Sequence, residues 1–351
     1  MIGIIANPSS GKDIRRLVAQ GTVFDNMEKV NIVQRILSVI YASGLRDIHM
    51  MPDAFHISER ASLNLKRSLK IDVYVKLLDI KFSDDQNDST QAAELLCKMG
   101  ASCIITLGGD GTNRAVAKAC GDVPLITIST GTNNVFPLML EGTMAGMAAV
   151  VAERDRERQY LVINRRKRIN IYKNSKFIDI ALIDVAITKD MFIGARALYH
   201  PEALHELAVT VAKPDCLGMS AIAGSVYPVG ENDPHGLYLE MGEGGELETW
   251  VPMAPGMMQL IRFKHYRKIK INERIVVKAD EGMVALDGER EVPFTKNDNI
   301  EIELSPFGPN VVNIHKSLTA ASRGGFFIEK DGQGLTKAES YSFYMNNNKE
   351  E

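Results

Sequence analysis

In "IITLGGDGTNRA" (residues 104–115) an apolar run stops at two glycines, a lone aspartate and a third glycine, and helix-forming sequence follows. That order describes a buried strand delivering a loop to the start of a helix. Gly108 and Gly109 have no Cβ, so a ligand can approach their backbone closely. Thr112 falls near the helix start, where free N–H groups and the helix dipole favour phosphate. A carboxylate in that place repels phosphate unless it organises Mg2+ or accepts a proton. Asp110 is therefore suited to metal organisation or to deprotonating a hydroxyl nucleophile. The plainer alternative is an Asp-Gly turn in which Asp110 caps the helix.

Upstream, strand and helix signals alternate. "IGIIA" (2–6), "DIHMM" (47–51), "DVYVKLLDI" (72–80), "SCIITL" (102–107) and "PLITI" (124–128) read as strands. "EKVNIVQRILSVIYASG" (28–44), "ISERASLNLKRSL" (57–69) and "DSTQAAELLCKMG" (88–100) have helical spacing, and a further helix is expected at about 141–153. This alternation predicts a parallel α/β sheet. Beyond it, "RINIYKNSKFIDIALIDVAI" (168–187) reads as a hairpin turning at "KNSK". "ELAVTVA", "MSAIAGSV", "GLYLEM", "LETWV", "MMQLIRF", "RIVVKA", "NIEIEL" and "VVNIH" follow as strand-like runs, which predicts an all-β sandwich. The domains expected are 1–155, 156–325 and a polar tail, 326–351.

In an α/β sheet, ligands bind beyond the carboxyl ends of the strands. Two more loops leave strands at that edge. "ANPSSGK" (6–12) offers Ser9, Ser10 and Gly11 after a proline turn, and "STGTNN" (129–134) sets Ser129, Thr130, Thr132, Asn133 and Asn134 around Gly131. The second set suits phosphate oxygens or a ribose. Simple turns, an Asn-Pro turn and a helix-capping Asx/ST turn, are the alternatives. "ALDGERE" (285–291) is a hairpin signal that either stays a turn or sends Asp287 or Glu289 into the cleft as a second carboxylate.

The 351 residues exceed one typical core; apolar content is 45%, charged content 24% and net charge −3, an ordinary globular composition with no footprint for nucleic acid or an anionic membrane. No apolar run reaches the ~20 residues of a membrane helix. The opening residues read as the first strand and not as a signal peptide. The four cysteines (Cys97, Cys103, Cys120, Cys216) lack metal-ligand spacing, and reduced thiols in a cytoplasm are expected. His200 and His205 are read as structural, Arg196 as a surface group, and "RRKR" (165–168) as a solvated charge run, with attraction of nucleotide phosphates as its alternative.

"LGGDGTNRAV" resembles the GGDGT signature shared by NAD kinases, diacylglycerol kinases and sphingosine kinases. "NPSSGK", "STGTNN" and "LDGE" are similar to loops of the diacylglycerol kinase side. The runs "GIIANPSSGKDIRRLVAQGTVFDNMEKVNIVQRIL" and "GGDGTNRAVAKACGDVPLITISTGTNNVFP" most closely resemble the acetoin catabolism protein X branch of the NAD kinase-like proteins, over about residues 1–325. The resemblance implies a Rossmann-like N-terminal domain, a β-sandwich C-terminal domain and ATP-dependent phosphorylation between them. It implies that Asp110 acts in catalysis, as a base or through Mg2+, and that Gly108, Gly109, Gly111 and Thr112 line the phosphates. Asn7, Ser9, Ser10, Gly11, Thr130, Gly131, Thr132 and Asn133 complete the expected ATP and phosphate site. Asn134, Asp184, Ser220, Asp287 and Glu289 are the candidate acceptor residues. No direct metal-ligand motif is present.

Two segments depart from the NAD kinase pattern. "ALIDV" (181–185) stands where those enzymes carry A-L-N-E-V, and "GMSAIAG" (218–224) keeps only Ser220 and Ala221 of T-G-S-T-A-Y. The expected activity is an ATP-dependent small-molecule kinase with NAD as the first-choice acceptor. A lipid kinase and a non-catalytic nucleotide-binding accessory protein are the alternatives. The expected partners are small molecules, with neither nucleic acid nor membrane, in a cytoplasmic homo-oligomer.

Overall fold

The computed structural model describes residues 1–11, 24–131, 133–155, 157–189, 203–242 and 245–328. Strand β1 (Ile2–Ala6) leads to α1 (Asn26–Ala42), β2 (Ile48–Met50), α2 (Ile57–Leu69), β3 (Lys76–Leu77), α3 (Gln86–Lys98), β4 (Cys103–Gly108), α4 (Asp110–Ala117), β5 (Leu125–Ser129), α5 (Gly142–Arg154) and β6 (Ile163–Arg165). β1 pairs in parallel with both β2 and β4, and β4 pairs in parallel with β5. The chain runs outward on one side of β1 and resumes on the other at β4. That reversal opens a crevice at the carboxyl edge between β1 and β4.

Successive strand residues feed opposite faces of the sheet. Ile4 and Ile105 join a core with Val33, Leu37 and Ala148 of α1 and α5. Ile5 and Ile104 join a second core with Ala92, Leu96 and Val116 of α3 and α4. α1 forms because Val30, Val33, Ile36, Leu37 and Ile40 recur at helical spacing, and Asp25 caps it by accepting from the Met27 N–H at 3.3 Å. α3 begins earlier than the expected residue 88, capped by Asp85, while Asp88 accepts from the amides of Ser83 and Asp84. The expected strand 72–80 contracts to β3, an exposed edge pair that meets β2 only at His49↔Lys76 and Met50↔Leu77.

The second half comprises β7 (Arg168–Lys173), β8 (Lys176–Ala181), β9 (Asp184–Thr188), β10 (Leu204–Val209), α6 (Met219–Val226), β11 (His235–Met241), β12 (Leu247–Ala254), β13 (Met257–Lys270), β14 (Arg274–Val276), β15 (Gly282–Leu286), β16 (Glu289–Phe294), β17 (Ile300–Ser305), β18 (Asn310–Val312) and α7 (Ile314–Arg323). Two antiparallel sheets result, in the orders β12-β13-β11-β10-β9-β15-β16 and β14-β17-β7-β8. Ile169, Ile171, Val185, Ile187, Ile302 and Leu304 fill the space between them, which makes a β-sandwich. The β7–β8 hairpin turns at Asn174 and Ser175, both with φ near +60° (54° and 65°).

Three local expectations are corrected. "MSAIAGSV" is a helix, α6, not a strand: its small residues lack β-branching, and it packs on the outer face of the larger sheet. "VVNIH" divides after Val312, because the Asn313 side chain accepts from the Lys316 N–H at 3.0 Å and starts α7. The 168–187 hairpin ends at Ala181, and β9 belongs to the other sheet. His200, Arg196, Thr132 and residues 329–351 lie outside the described residues.

The end of the chain returns to the first sheet. β18 lies between β5 and β6, parallel to β5. The fully buried Ser317 accepts from the Val162 N–H at 2.9 Å and ties α7 to the segment before β6. Ser317→Ala leaves that amide without its hydroxyl partner, and the expected cost is about 1–3 kcal/mol of stability. Urea unfolding measures it; an unchanged midpoint would show that the return segment is not braced there.

Candidate active site

The loops after β1, β4 and β5 converge at the carboxyl edge. Asn7 donates through Nδ2 to Thr112 Oγ1 at 2.9 Å, and Ser10 Oγ lies 2.9 Å from Thr130 Oγ1. The Thr130 N–H donates to Gly108 O at 3.2 Å. Asn134 donates to Ser129 Oγ at 2.8 Å, and its side chain fills the space beside Gly109, where a Cβ would stand 2.8 Å from Asn134 Oδ1. Ser9 is exposed at the tip of the first loop, Gly11 closes it at φ +77°, and Asn133 is half-buried beside Gly131. Apart from Thr132, the expected phosphate-site residues therefore share one edge of the sheet.

A buried lysine organises the first loop. Lys29 Nζ on α1 donates to the carbonyls of Asn7 (2.8 Å), Pro8 (3.2 Å) and Ser10 (2.7 Å) and to Asn26 Oδ1 (2.9 Å). Sequence reasoning missed it because a lysine within an apolar stripe reads as a solvated residue.

Asp110 opens α4, but it is not the cap; Gly109 is, and it brings no side-chain hydrogen bond. The Asp110 carboxylate accepts from the Phe136 N–H at 2.8 Å and the Val135 N–H at 3.1 Å. Its direction is thus set by the backbone that follows the third loop. Asn113, one turn on, accepts from Thr106 Oγ1 at 2.8 Å and donates to Gly109 O at 2.8 Å, which pins the helix start to β4.

Arg114, also in the motif, is 1% exposed and ties α4 to the β domain. It lies 3.2 Å from Asp179 of β8, 3.8 Å from Asp287 and 3.9 Å from Glu289. Asp287 is wholly enclosed and accepts from the N–H groups of Leu182 (3.0 Å), Ile183 (2.8 Å) and Asp184 (3.2 Å). Burial raises its carboxyl above the usual range, and the Arg114 charge and those amides oppose the rise. Glu289 is the member of the Asp-Gly-Glu turn that reaches the site. It is 32% exposed, accepts from Gln86 Nε2 and approaches the first turn of α4, where a Cβ on Gly111 would stand 3.0 Å from its Oε1.

The other candidates are placed apart. Ser220 donates to Val211 O at 2.9 Å and accepts from the Lys213 N–H at 3.3 Å, bracing the loop before α6. Ile183 is 2% exposed in an apolar cluster with Val135, Phe136, Leu182, Val211 and Val311. Asp184 is buried beneath the Asp287 turn, and its carbonyl accepts the Asp287 N–H at 3.0 Å. Lys213 enters as a further cation: burial lowers its ammonium, while Asp110 is among the charges that oppose this. Among the described residues no three acidic, histidine or cysteine side chains converge as a metal cage, and no helix is long and apolar enough to cross a membrane.

Residues 2–154 match the family model of the ATP-NAD kinase N-terminal domain, and residues 167–306 match that of the acetoin catabolism protein X C-terminal domain. Acetoin catabolism protein X of Cupriavidus necator is 36% identical over 333 residues, covering 92% of each chain. The chain belongs to the NAD kinase-like family, in its acetoin catabolism protein X branch. The fold of the family extends to a yeast NADH kinase crystallised with NADH, which aligns with 94% of this chain and 88% of its own at TM-score 0.52 and 13% identity. In this NAD kinase-like chain the family motif supplies two residues of different duty. Asp110 faces the loop cluster, and Arg114 faces the β domain.

Arg114→Met would leave the buried Asp287 without its cation, and a loss of about 3–5 kcal/mol is expected. The pH dependence carries a signature. A carboxyl whose folded value lies above its unfolded value adds stability while protonated and loses it as pH rises through the folded value. Without Arg114, Asp287 rises further. The deficit against wild type should therefore be largest at neutral pH and narrow on acidification. Denaturant titrations of both proteins across that range test this; a deficit independent of pH would remove Asp287 from the account.

Proposed function

We propose that this protein is an ATP-dependent small-molecule kinase, transferring the γ-phosphoryl group to a hydroxyl of its acceptor, with NAD the first acceptor to test and NADP the product. The observation that carries the reading is the convergence of three glycine-containing loops, rich in serine, threonine and asparagine, around Asp110. Neutral hydroxyl, amide and backbone donors suit a triphosphate, and α4 begins there without a side-chain cap. Asp110 takes the proton of the acceptor hydroxyl as its oxygen attacks the γ-phosphorus. The bond to the β–γ bridging oxygen breaks, and ADP leaves. Asp110 and Glu289 are the carboxylates that would hold Mg2+ together with the phosphates, in keeping with a metal that needs one or two carboxylates and keeps several waters. Such an ion would neutralise charge on the transferring group.

The kinase-type family fold and the Asp110 geometry support this over an accessory role. The edge strand β12, with Trp250 64% exposed beside Met258 and Leu260 of β13, offers a contact face for the homo-oligomer that belongs to the same reading. One observation favours an acceptor other than NAD: Ile183 turns into the apolar cluster and offers no side-chain hydrogen bond.

Asp110→Asn should keep the fold and lower turnover by roughly 10²–10⁴-fold, the usual contribution of a positioned base. The assay is NADP+ formation from ATP and NAD+. Wild-type turnover in the variant would sink the role of Asp110. Absence of NADP+ with the wild type would move the acceptor away from NAD. The buried position of residue 183 makes a further prediction. Ile183→Asn places an amide in the apolar cluster and should cost about 1–3 kcal/mol without raising NADP+ formation. A variant of unchanged stability with tighter NAD binding would place residue 183 against the ligand instead.

A further inference from the structure

A cavity of about 720 Å³ lies beside the loop cluster, where α5 and α7 meet the segments around Arg166 and Glu231. Its volume falls in the range of small-molecule sites. One wall is apolar: Leu140, Met144, Ile314 and Leu318. Ile314 and Leu318 are four residues apart and share one face of α7. The lining also carries polar side chains, Asn164, Asn313, Arg166 and Glu231. The positive end of the ten-residue α7 also opens there. His315 and Arg323 are exposed lining residues and leave an entrance to solvent.

The expected solvated run "RRKR" is corrected for Arg166 and Lys167, while Arg165 is exposed. The Lys167 ammonium is buried and donates to the carbonyls of Gly230 (3.0 Å) and His235 (2.7 Å), and burial pulls it down to about 8. The Arg166 side chain is 11% exposed and pairs with Glu231. Glu231 is shared, because Lys213 Nζ lies 3.0 Å from its other oxygen. Two cations therefore meet one carboxylate, and Arg323 adds a third positive group at the rim. Among the described residues, Arg166 Nε is buried and has no hydrogen-bond acceptor. An enclosed guanidinium nitrogen without an acceptor is costly, and an incoming anionic oxygen would satisfy it.

We propose that this cavity binds an organic anion with an apolar tail, its anionic head at Arg166 and the start of α7 and its tail along Leu140, Met144, Ile314 and Leu318. The site is separate from the Asp110 loops, and it goes beyond the kinase reading.

Octanoate is the probe, titrated calorimetrically into the full-length protein, with octan-1-ol and acetate as controls for tail alone and head alone. Saturable 1:1 binding of octanoate, at least tenfold tighter than either control, is expected. Arg166→Gln should weaken it at least tenfold, and so should Leu318→Trp, which fills the apolar wall from a half-buried helix position. Circular dichroism checks that each variant is folded; if Arg166→Gln fails that check, Leu318→Trp decides. Asp110→Asn should bind octanoate as the wild type does, so failure of the kinase reading leaves this result intact. No octanoate binding, equal affinity for octan-1-ol, or full affinity in folded Leu318→Trp would overturn the proposal.

Discussion

A guanidinium with 1% exposure, held among three carboxylates of another domain, is the constraint around which the site is built. Arg114 lies one helical turn after Asp110, so any placement of Arg114 also places Asp110. At 3.2 Å the pair with Asp179 is worth about 5 kcal/mol of Coulomb energy at an effective dielectric of 20, before desolvation is subtracted. Desolvating the ions offsets most of that gain, so the network adds little net stability compared with an apolar contact. Its consequence is geometric. Asp179 on β8, Asp287 in its turn and Glu289 on β16 each have one position relative to α4, and the interdomain crevice inherits its shape from them.

Charge is managed differently on the other side of the crevice. The loops proposed to face the phosphates present serine, threonine and asparagine side chains, and the buried cation behind the first of them, Lys29, is turned inward. Its ammonium gathers the carbonyls of Asn7, Pro8 and Ser10, oxygens that would repel a phosphate if they faced the crevice. Four oxygen partners compensate the burial of that charge. The loop is thereby ordered by a residue that a ligand never needs to touch.

The strand-loop-helix grammar around residues 104–115 was legible because apolar runs, glycines and helical spacing are local signals. The alternation of elements gave the parallel sheet, but not the reversal at β4, because strand order is set by pairing between distant segments. Arg114 stood in the quoted motif and went unread, since a charged residue between Asn113 and Ala115 looks like a solvated helix position. Its partners, Asp179, Asp287 and Glu289, are 65 to 175 residues away in the chain, and no local pattern joins them. α6 was misread for a related reason. In "MSAIAGSV" Met219, Ile222 and Val226 stand at helical spacing over only eight residues, too short a span for periodicity alone, so its packing against the larger sheet decides between helix and strand. The Asp-Gly-Glu turn was visible as chemistry, but which carboxylate is enclosed and which reaches the crevice depends on amides contributed by residues 182–184.

Those amides bear on the acceptor end of the crevice. The segment "ALIDV" gives its N–H groups at 182, 183 and 184 to Asp287 and its Ile183 side chain to the cluster under Val135 and Phe136. Val135 and Phe136 in turn give their N–H groups to Asp110. One short path of contacts therefore runs from the Asp287 turn through Ile183 to the carboxylate proposed to take the proton. A polar side chain at residue 183 would read a ligand only by giving up this packing. In this chain the segment braces Asp110 and has no side chain at residue 183 to offer a ligand.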